Sequence, residues 1–82
     1  MKKLLNTIYV TTPDSYLSLD GDNLVVLNND TKIGRVPMHN SESIVTCGYT
    51  GASPALMRYC VEHNVSLTFM RQSGKFMARV IG

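Results

Sequence analysis

Only one short stretch of this chain, residues 54–63, carries apolar residues at helical spacing; elsewhere they alternate with polar residues or gather in β-branched runs. That pattern confines the fold to a mostly β architecture with a single helix. Leu4 to Thr11 alternates, with Leu4, Ile8 and Val10 on one face and Leu5, Thr7 and Tyr9 on the other. Tyr16–Asp20 alternates again and points Leu17 and Leu19 the same way. Gly21-Asp22 then separates it from the apolar run Asn23–Leu27. A Gly-led pair between two such runs signals a hairpin, because glycine accepts the positive φ of type I′ and II′ turns. Asn28–Thr31 is a second turn of this kind, and Lys32–Val36 follows as a strand. Pro37 has no ladder donor, so that strand ends there or lies at an edge. Ser43–Cys47 is β-branched and makes a fifth strand.

At Gly48-Tyr49-Thr50-Gly51-Ala52 the pattern changes, and this segment reads as the closure between strand and helix. Ser53 is a good N-cap and Pro54 suits the first helical position. Leu56 with Cys60, and Met57 with Val61, fall four apart and form one apolar stripe, leaving Arg58, Glu62 and His63 on other faces. Asn64 suits a left-handed C′ position. Val65–Phe69 alternates with Val65, Leu67 and Phe69 inward, and Gln72-Ser73-Gly74 turns the chain. Lys75–Ile81 alternates too, placing Phe76, Ala78 and Val80 on one face and Lys75, Met77, Arg79 and Ile81 on the other. The expected class is α+β, mostly β: about seven short strands in small antiparallel sheets, with one helix near residues 54–63.

The chain has 82 residues, 44% hydrophobic and 17% charged. That length suits a single domain, 1–82, burying only about 60–65% of its unfolded surface. The composition excludes a disordered acidic or Gly/Pro-rich chain. No run approaches the roughly 18 apolar residues of a membrane span, and the basic start lacks a signal sequence's apolar stretch, so the expected location is the cytoplasm without membrane contact. The last strand runs straight into the final residue, as at a domain boundary, so the chain is expected to be a piece of something longer.

Net charge is +2, but it is uneven. Residues 58–82 hold Arg58, Arg71, Lys75 and Arg79 against Glu62 alone. Any anion-facing surface belongs there. Lys75 and Arg79 fall on one face of the last strand by the period-two rule, a spacing suited to phosphates and not to base edges. Cys47 and Cys60 have neither a zinc nor a redox spacing and read as buried free thiols.

Convergent chemistry is missing. Asp14, Asp20, Asp22 and Asp30 sit at turn positions, where Asp caps its own backbone. Glu42 and Glu62 are isolated, His39 lies in a loop, and His63 ends the helix. Gly48–Gly51 precedes a helix N-terminus, yet has neither the GxGxxG nor the GxxxxGK pattern of a phosphate cradle. No catalytic and no metal-ligating residue is assigned.

Read together, these segments carry a resemblance. Leu5-Asn6-Thr7-Ile8-Tyr9-Val10, Tyr16-Leu17-Ser18-Leu19-Asp20-Gly21, Arg35-Val36-Pro37-Met38-His39-Asn40, Ile44-Val45-Thr46, Gly48-Tyr49-Thr50-Gly51-Ala52-Ser53-Pro54-Ala55-Leu56-Met57, Asn64–Phe69 and Ser73–Val80 span the chain. The whole closely resembles the N-terminal β-domain of the CRISPR-associated integrase, the adaptation endonuclease that captures spacers, nearest to its type I-C form. Two positions depart from the family pattern: Ser41, where an apolar residue is usual, and Cys47, where a larger aromatic is expected.

The resemblance implies a β-rich domain followed by a larger helical one, and a homodimer that flanks a second small CRISPR adaptation protein. It implies binding of double-stranded DNA with splayed ends and its integration by metal-dependent transesterification. The divalent metal, magnesium or manganese, is held in the helical domain by a Glu, a His and an Asp. This chain is therefore expected to be no enzyme by itself and to hold no cofactor. It would supply dimer contacts and weak DNA-backbone contacts through Arg58, Arg71, Lys75 and Arg79. A stand-alone β-rich interaction module with no DNA role is the alternative, and an intrinsic nuclease is a third reading.

Overall fold

The computed structural model describes residues 2–48 and 50–81. The expected first strand is two strands. β1 (Lys2–Leu4) and β2 (Thr7–Val10) form an antiparallel hairpin about Leu5 and Asn6. Leu5 takes φ +56°, an unusual conformation for a branched residue, and its side chain is exposed. The turn is held from outside, because the Asn6 carbonyl accepts from the amides of Glu42 (2.8 Å) and Ser43 (3.2 Å).

The next three strands follow the turn chemistry. β3 (Ser15–Asp20) and β4 (Asn23–Asn28) pair antiparallel around Gly21, which has φ +61°. β4 pairs with β5 (Thr31–Pro37) around Asn29 and Asp30, at φ +51° and +63°. Positive φ at both central residues is the type I′ requirement. β5 is an edge strand ending at Pro37, and a bulge at Ile33 interrupts its register.

After these come β6 (Ser43–Cys47), β7 (Thr50–Ala52), helix α1 (Pro54–Glu62), β8 (Ser66–Met70) and β9 (Phe76–Val80). Two sheets result, with strand orders β1-β2-β6-β8-β9 and β5-β4-β3-β7. Both are mixed. β2 with β6, β6 with β8, and β3 with β7 run parallel. The antiparallel expectation is thus corrected, and the strands among the described residues number nine, not seven. The reason is non-local. The β3–β5 meander and the β7–α1 segment serve as the long crossovers that parallel neighbours need, and alternation along a strand carries no sign of its direction.

The segment expected to be plain closure before the helix contains β7. It joins the meander sheet against β3, with Gly51 beside Tyr16. A Cβ at Gly51 would meet the Tyr16 ring at 3.1 Å, a close approach that the half-exposed ring would have to yield to by a few tenths of an ångström.

One core lies between the sheets. Ile8, Ile44 and Leu67 stand in a cross-strand row and are fully buried, with Val80 completing the row on β9. Leu17, Leu24 and Val26 face them from the other sheet. Helix α1 packs on β3 of one sheet and on β8 and β9 of the other, inserting Leu56 and Cys60. Ser53 caps it as expected, its Oγ accepting from the Leu56 amide at 3.1 Å, and Asn64 takes φ +57° after its end. Both cysteines are free; Cys60 is buried and Cys47 half-buried. Burial pushes the Cys60 thiol up to about 11.

Ser41 is buried, and its Oγ has no hydrogen-bond partner among the described residues. An orphan hydroxyl costs its desolvation without return. Ser41→Ala is therefore expected to raise stability by up to about 1 kcal/mol, read as a shift of the urea midpoint. Leu67→Ala should lower stability by about 2–5 kcal/mol, and Ser53→Ala by about 1 kcal/mol, in the same assay. At pH 8 an alkylating agent should leave Cys60 unmodified until the chain unfolds, since the reactive thiolate is suppressed and the site is closed.

Candidate nucleic-acid interface

The outward face of the five-stranded sheet is set by the core. Because Ile8, Ile44, Leu67 and Val80 point inward, their neighbours Tyr9, Val45, Thr68 and Arg79 point outward in a second cross-strand row. Beside this row, the Thr7 and Ser43 hydroxyls lie 3.0 Å apart, with Ser66 next in register. On its other side stand Cys47, Met70 and Phe76.

Phe76 corrects the sequence reading, which turned it inward with Ala78 and Val80. Met70 pairs with Phe76 and Phe69 with Ala78, so Met77 is an extra residue on β9. Such a bulge resets the alternation. Ala78 and Val80 stay on the core side, while Phe76 joins the face of Arg79 and is 56% exposed. The Arg79 guanidinium lies 5.8 Å from its ring centroid. Arg79 Nε donates to Thr68 Oγ1 at 3.1 Å, so the nearly buried Thr68 hydroxyl orients the fork.

Of the other cations proposed from sequence, Arg71 and Lys75 sit at the hairpin tip. Arg71 N–H donates to the Lys75 carbonyl and Gly74 N–H to the Arg71 carbonyl, each at 2.8 Å. Gly74, at φ +88°, supplies the left-handed residue of this three-residue loop. Lys75 precedes β9 and the bulge intervenes, so the period-two rule no longer ties it to the face of Arg79. Arg58 stands apart on the exposed side of α1, 3.9 Å from Glu62. The hairpin thus gathers Arg71, Lys75 and Arg79, and Arg58 is separate.

Several other polar groups bond within the fold. Arg35 reaches across β4 to Asp20 at 2.7 Å, and its hydrogen bond holds the Asp20 carboxyl below the usual carboxylate range. Asp14 and Asp30 occupy positive-φ turn positions. His63 stacks on Tyr59 at 3.9 Å and pairs with its carbonyl through Nδ1. The His39 carbonyl accepts from Lys3 Nζ. Around the segment before the helix, the Gly48 amide donates to the Met70 carbonyl, the Ser53 amide to the Leu17 carbonyl, and Ser53 Oγ takes the Leu56 amide. Tyr49 lies outside the described residues.

A cleft of about 330 Å³ between β7, α1 and the bulge is lined by Ala52, Met57, Phe69 and Met77, and its lining among the described residues has no titratable group. Among the described residues no three His, Cys, Asp or Glu side chains gather as a metal site. The described residues do not fit the divalent metal that the resemblance implies for the family's helical domain. No helix among the described residues is long and apolar enough to cross a membrane. The hairpin and the outward sheet face thus bring together cations, hydroxyls and an exposed ring.

Comparison with known proteins agrees with this architecture. Residues 8–82 match the family model for CRISPR associated protein Cas1. The CRISPR-associated endonuclease Cas1 2 of Rhodospirillum rubrum is 46% identical over 82 residues, which is all of this chain and 24% of that protein. A TtCas1–DNA complex shares the fold at a TM-score of 0.79 and 12% identity, covering 100% of this chain and 32% of that one. A partial Cas6-RT-Cas1–Cas2 complex gives a TM-score of 0.76 at 17% identity, over 92% of this chain and 23% of that one. The chain spans about a quarter of the length of the curated relative it matches. With the family model covering nearly every residue of both sheets and the helix, the chain belongs to the Cas1 family.

Proposed function

We propose that this chain is the N-terminal scaffold domain of a cytoplasmic CRISPR adaptation integrase. It contributes dimer contacts and DNA-backbone contacts, while the metal-dependent chemistry resides in the larger helical portion that full-length relatives have. Its partners are a second copy of itself, the second small CRISPR adaptation protein and double-stranded DNA. Support comes from the family match and from folds shared with a Cas1–DNA complex and a Cas1–Cas2 complex.

The observation that carries the DNA contact is the β8–β9 hairpin. Arg71, Lys75 and Arg79 fall within nine residues, and from His63 to Gly82 the sequence has no carboxylate. Each phosphate neutralised releases counterions, so binding is salt-dependent. Replacing Lys75 and Arg79 by Ser should weaken duplex binding and shallow the log–log salt slope by about 1.8, roughly 0.9 per contact. An unchanged slope would refute the backbone role. Equal affinity for duplex and for a neutral polymer would instead favour a plain interaction module.

The dimer contact is assigned to the outward face of the meander sheet. Tyr16 and Leu27 are neighbours there, beside Val25, and Ile33 protrudes at the β5 bulge; Tyr16 and Ile33 are 44% and 48% exposed. The edge of β5 is a poor pairing surface because the bulge and Pro37 spoil its ladder. Contact by the face follows, about a two-fold axis. Sedimentation at tens of micromolar should show a dimer, and Ile33→Asp should shift it to monomer. A wild-type monomer would refute the assignment.

A further inference from the structure

β9 is an edge strand, and the hydrogen bonds around β8 show where its main chain points. The Ser66 amide donates to the Glu42 carbonyl and the Met70 carbonyl accepts from the Gly48 amide, so both residues bond towards β6. Bonding direction alternates along a strand, so Leu67 and Phe69 bond towards β9, to Val80 and Ala78. Arg79 lies between these two, opposite Thr68. Its N–H and C=O therefore point away from the sheet, and Ile81 repeats this two residues on. Among the described residues no turn or loop bonds to this edge. The other edges are guarded: β5 carries a bulge and Pro37, and β1 and β7 are three residues long.

The core side of β9 is also unfinished there. Ala78 turns inward with Val80 yet is exposed, and it borders the apolar cleft with Met57, Phe69 and Met77. A strand laid along β9 would bring an inward side chain to that cleft, where the two methionines can adapt to its shape. Charge selects the partner. From His63 to Gly82 no side chain is a carboxylate, while Arg71, Lys75 and Arg79 are cationic. Two copies of β9 are ill matched, because like charges would face each other across the new ladder.

We propose that β9 accepts an extended strand from a partner protein, with an acidic residue opposite Arg79 and an apolar residue entering the cleft beside Ala78. This goes beyond the DNA and dimer readings and rests on neither, since its ladder is made by main chain at a sheet edge.

The test is fluorescence anisotropy of the 82-residue chain, without nucleic acid, against a labelled peptide that alternates Glu with Leu. A twin N-methylated on the amides of one edge should bind about tenfold more weakly, as the loss of two net hydrogen bonds requires. A twin with Lys in place of Glu should lose at least as much. Ile81→Pro removes an outward donor and keeps every cation; it should weaken the Glu–Leu peptide about fivefold. Ala78→Phe, which fills the cleft, should weaken it too. Circular dichroism checks that both variants fold, and the N-methylated twin needs no variant. If no peptide binds, or if N-methylation on either edge costs nothing, the ladder is wrong. Equal binding of the Lys twin would refute the acidic partner. If Ile81→Pro changes sedimentation while the peptide stays unbound, the edge meets a second copy and the proposal is overturned. It is overturned as well if the peptide binds this chain but not a full-length Cas1 relative, whose own remaining chain would then cover the edge.

Discussion

The inward row Ile8–Ile44–Leu67–Val80 is the constraint on which the rest depends. It crosses two parallel ladders and one antiparallel ladder, so it fixes the register of four strands at once. Side chains on a strand alternate, and a slip of one residue would send the whole row to solvent. Each fully buried aliphatic contributes about 1.5–3 kcal/mol, whereas an exposed ion pair or cross-strand polar pair contributes about 1 kcal/mol or less. The core therefore chooses the register, and the outward row Tyr9–Val45–Thr68–Arg79 is a consequence. The position of Arg79 on the open face follows from the inward turn of its strand neighbour Val80, which pairs with the buried Leu67.

The bulge at Met77 is the one place on this face where the core does not dictate the outcome. Regular pairing would carry Phe76 inward with Ala78, and burial of a phenylalanine is worth about 1.5–3 kcal/mol. The contact with Arg79 that replaces it is exposed, and an exposed cation–π contact returns about 0.5–1 kcal/mol. The exchange favours burial on stability alone. It does so although an apolar cleft of about 330 Å³ lies nearby, lined in part by Met77 and Phe69.

What the sequence made legible was local. The hairpins at Gly21 and at Asn29-Asp30 are read from adjacent residues, and so are the Ser53 cap, Pro54 and Asn64, because the backbone conformation each needs is set within a turn. The core residues Ile8, Leu17, Leu67 and Leu56 came from period alone. Strand direction did not, since parallel and antiparallel strands alternate alike and the choice is made by crossovers of many residues. The break at Leu5 was hidden because a leucine in left-handed conformation has no sequence mark; the two hydrogen bonds that hold the turn come from Glu42 and Ser43, far along the chain. β7 is three residues long and includes a glycine, too short to show a period. Of the four cations, the charge run found all, but only register could show that the bulge separates Lys75 from the face of Arg79 and brings Phe76 to it.

Two outward faces, belonging to different sheets, divide the work that the sandwich can do. The meander sheet presents Tyr16, Leu27 and Ile33 with the Arg35–Asp20 pair, and Lys32 stands opposite Leu27. The five-stranded sheet presents Arg79, hydroxyls and Phe76, a surface with unmatched positive charge. They lie on opposite sides of one core, so occupying one does not block the other. On the proposed dimer, the meander faces meet at the two-fold axis and the five-stranded faces point away from it. The domain measures 28 × 27 × 24 Å, so two stacked domains set the outer faces on the order of 50 Å apart. At 3.4 Å per base pair that is a span of roughly 15 base pairs. Thickness of the sandwich, fixed by the packing of its inner rows, then sets the distance between the two outer faces of the proposed dimer.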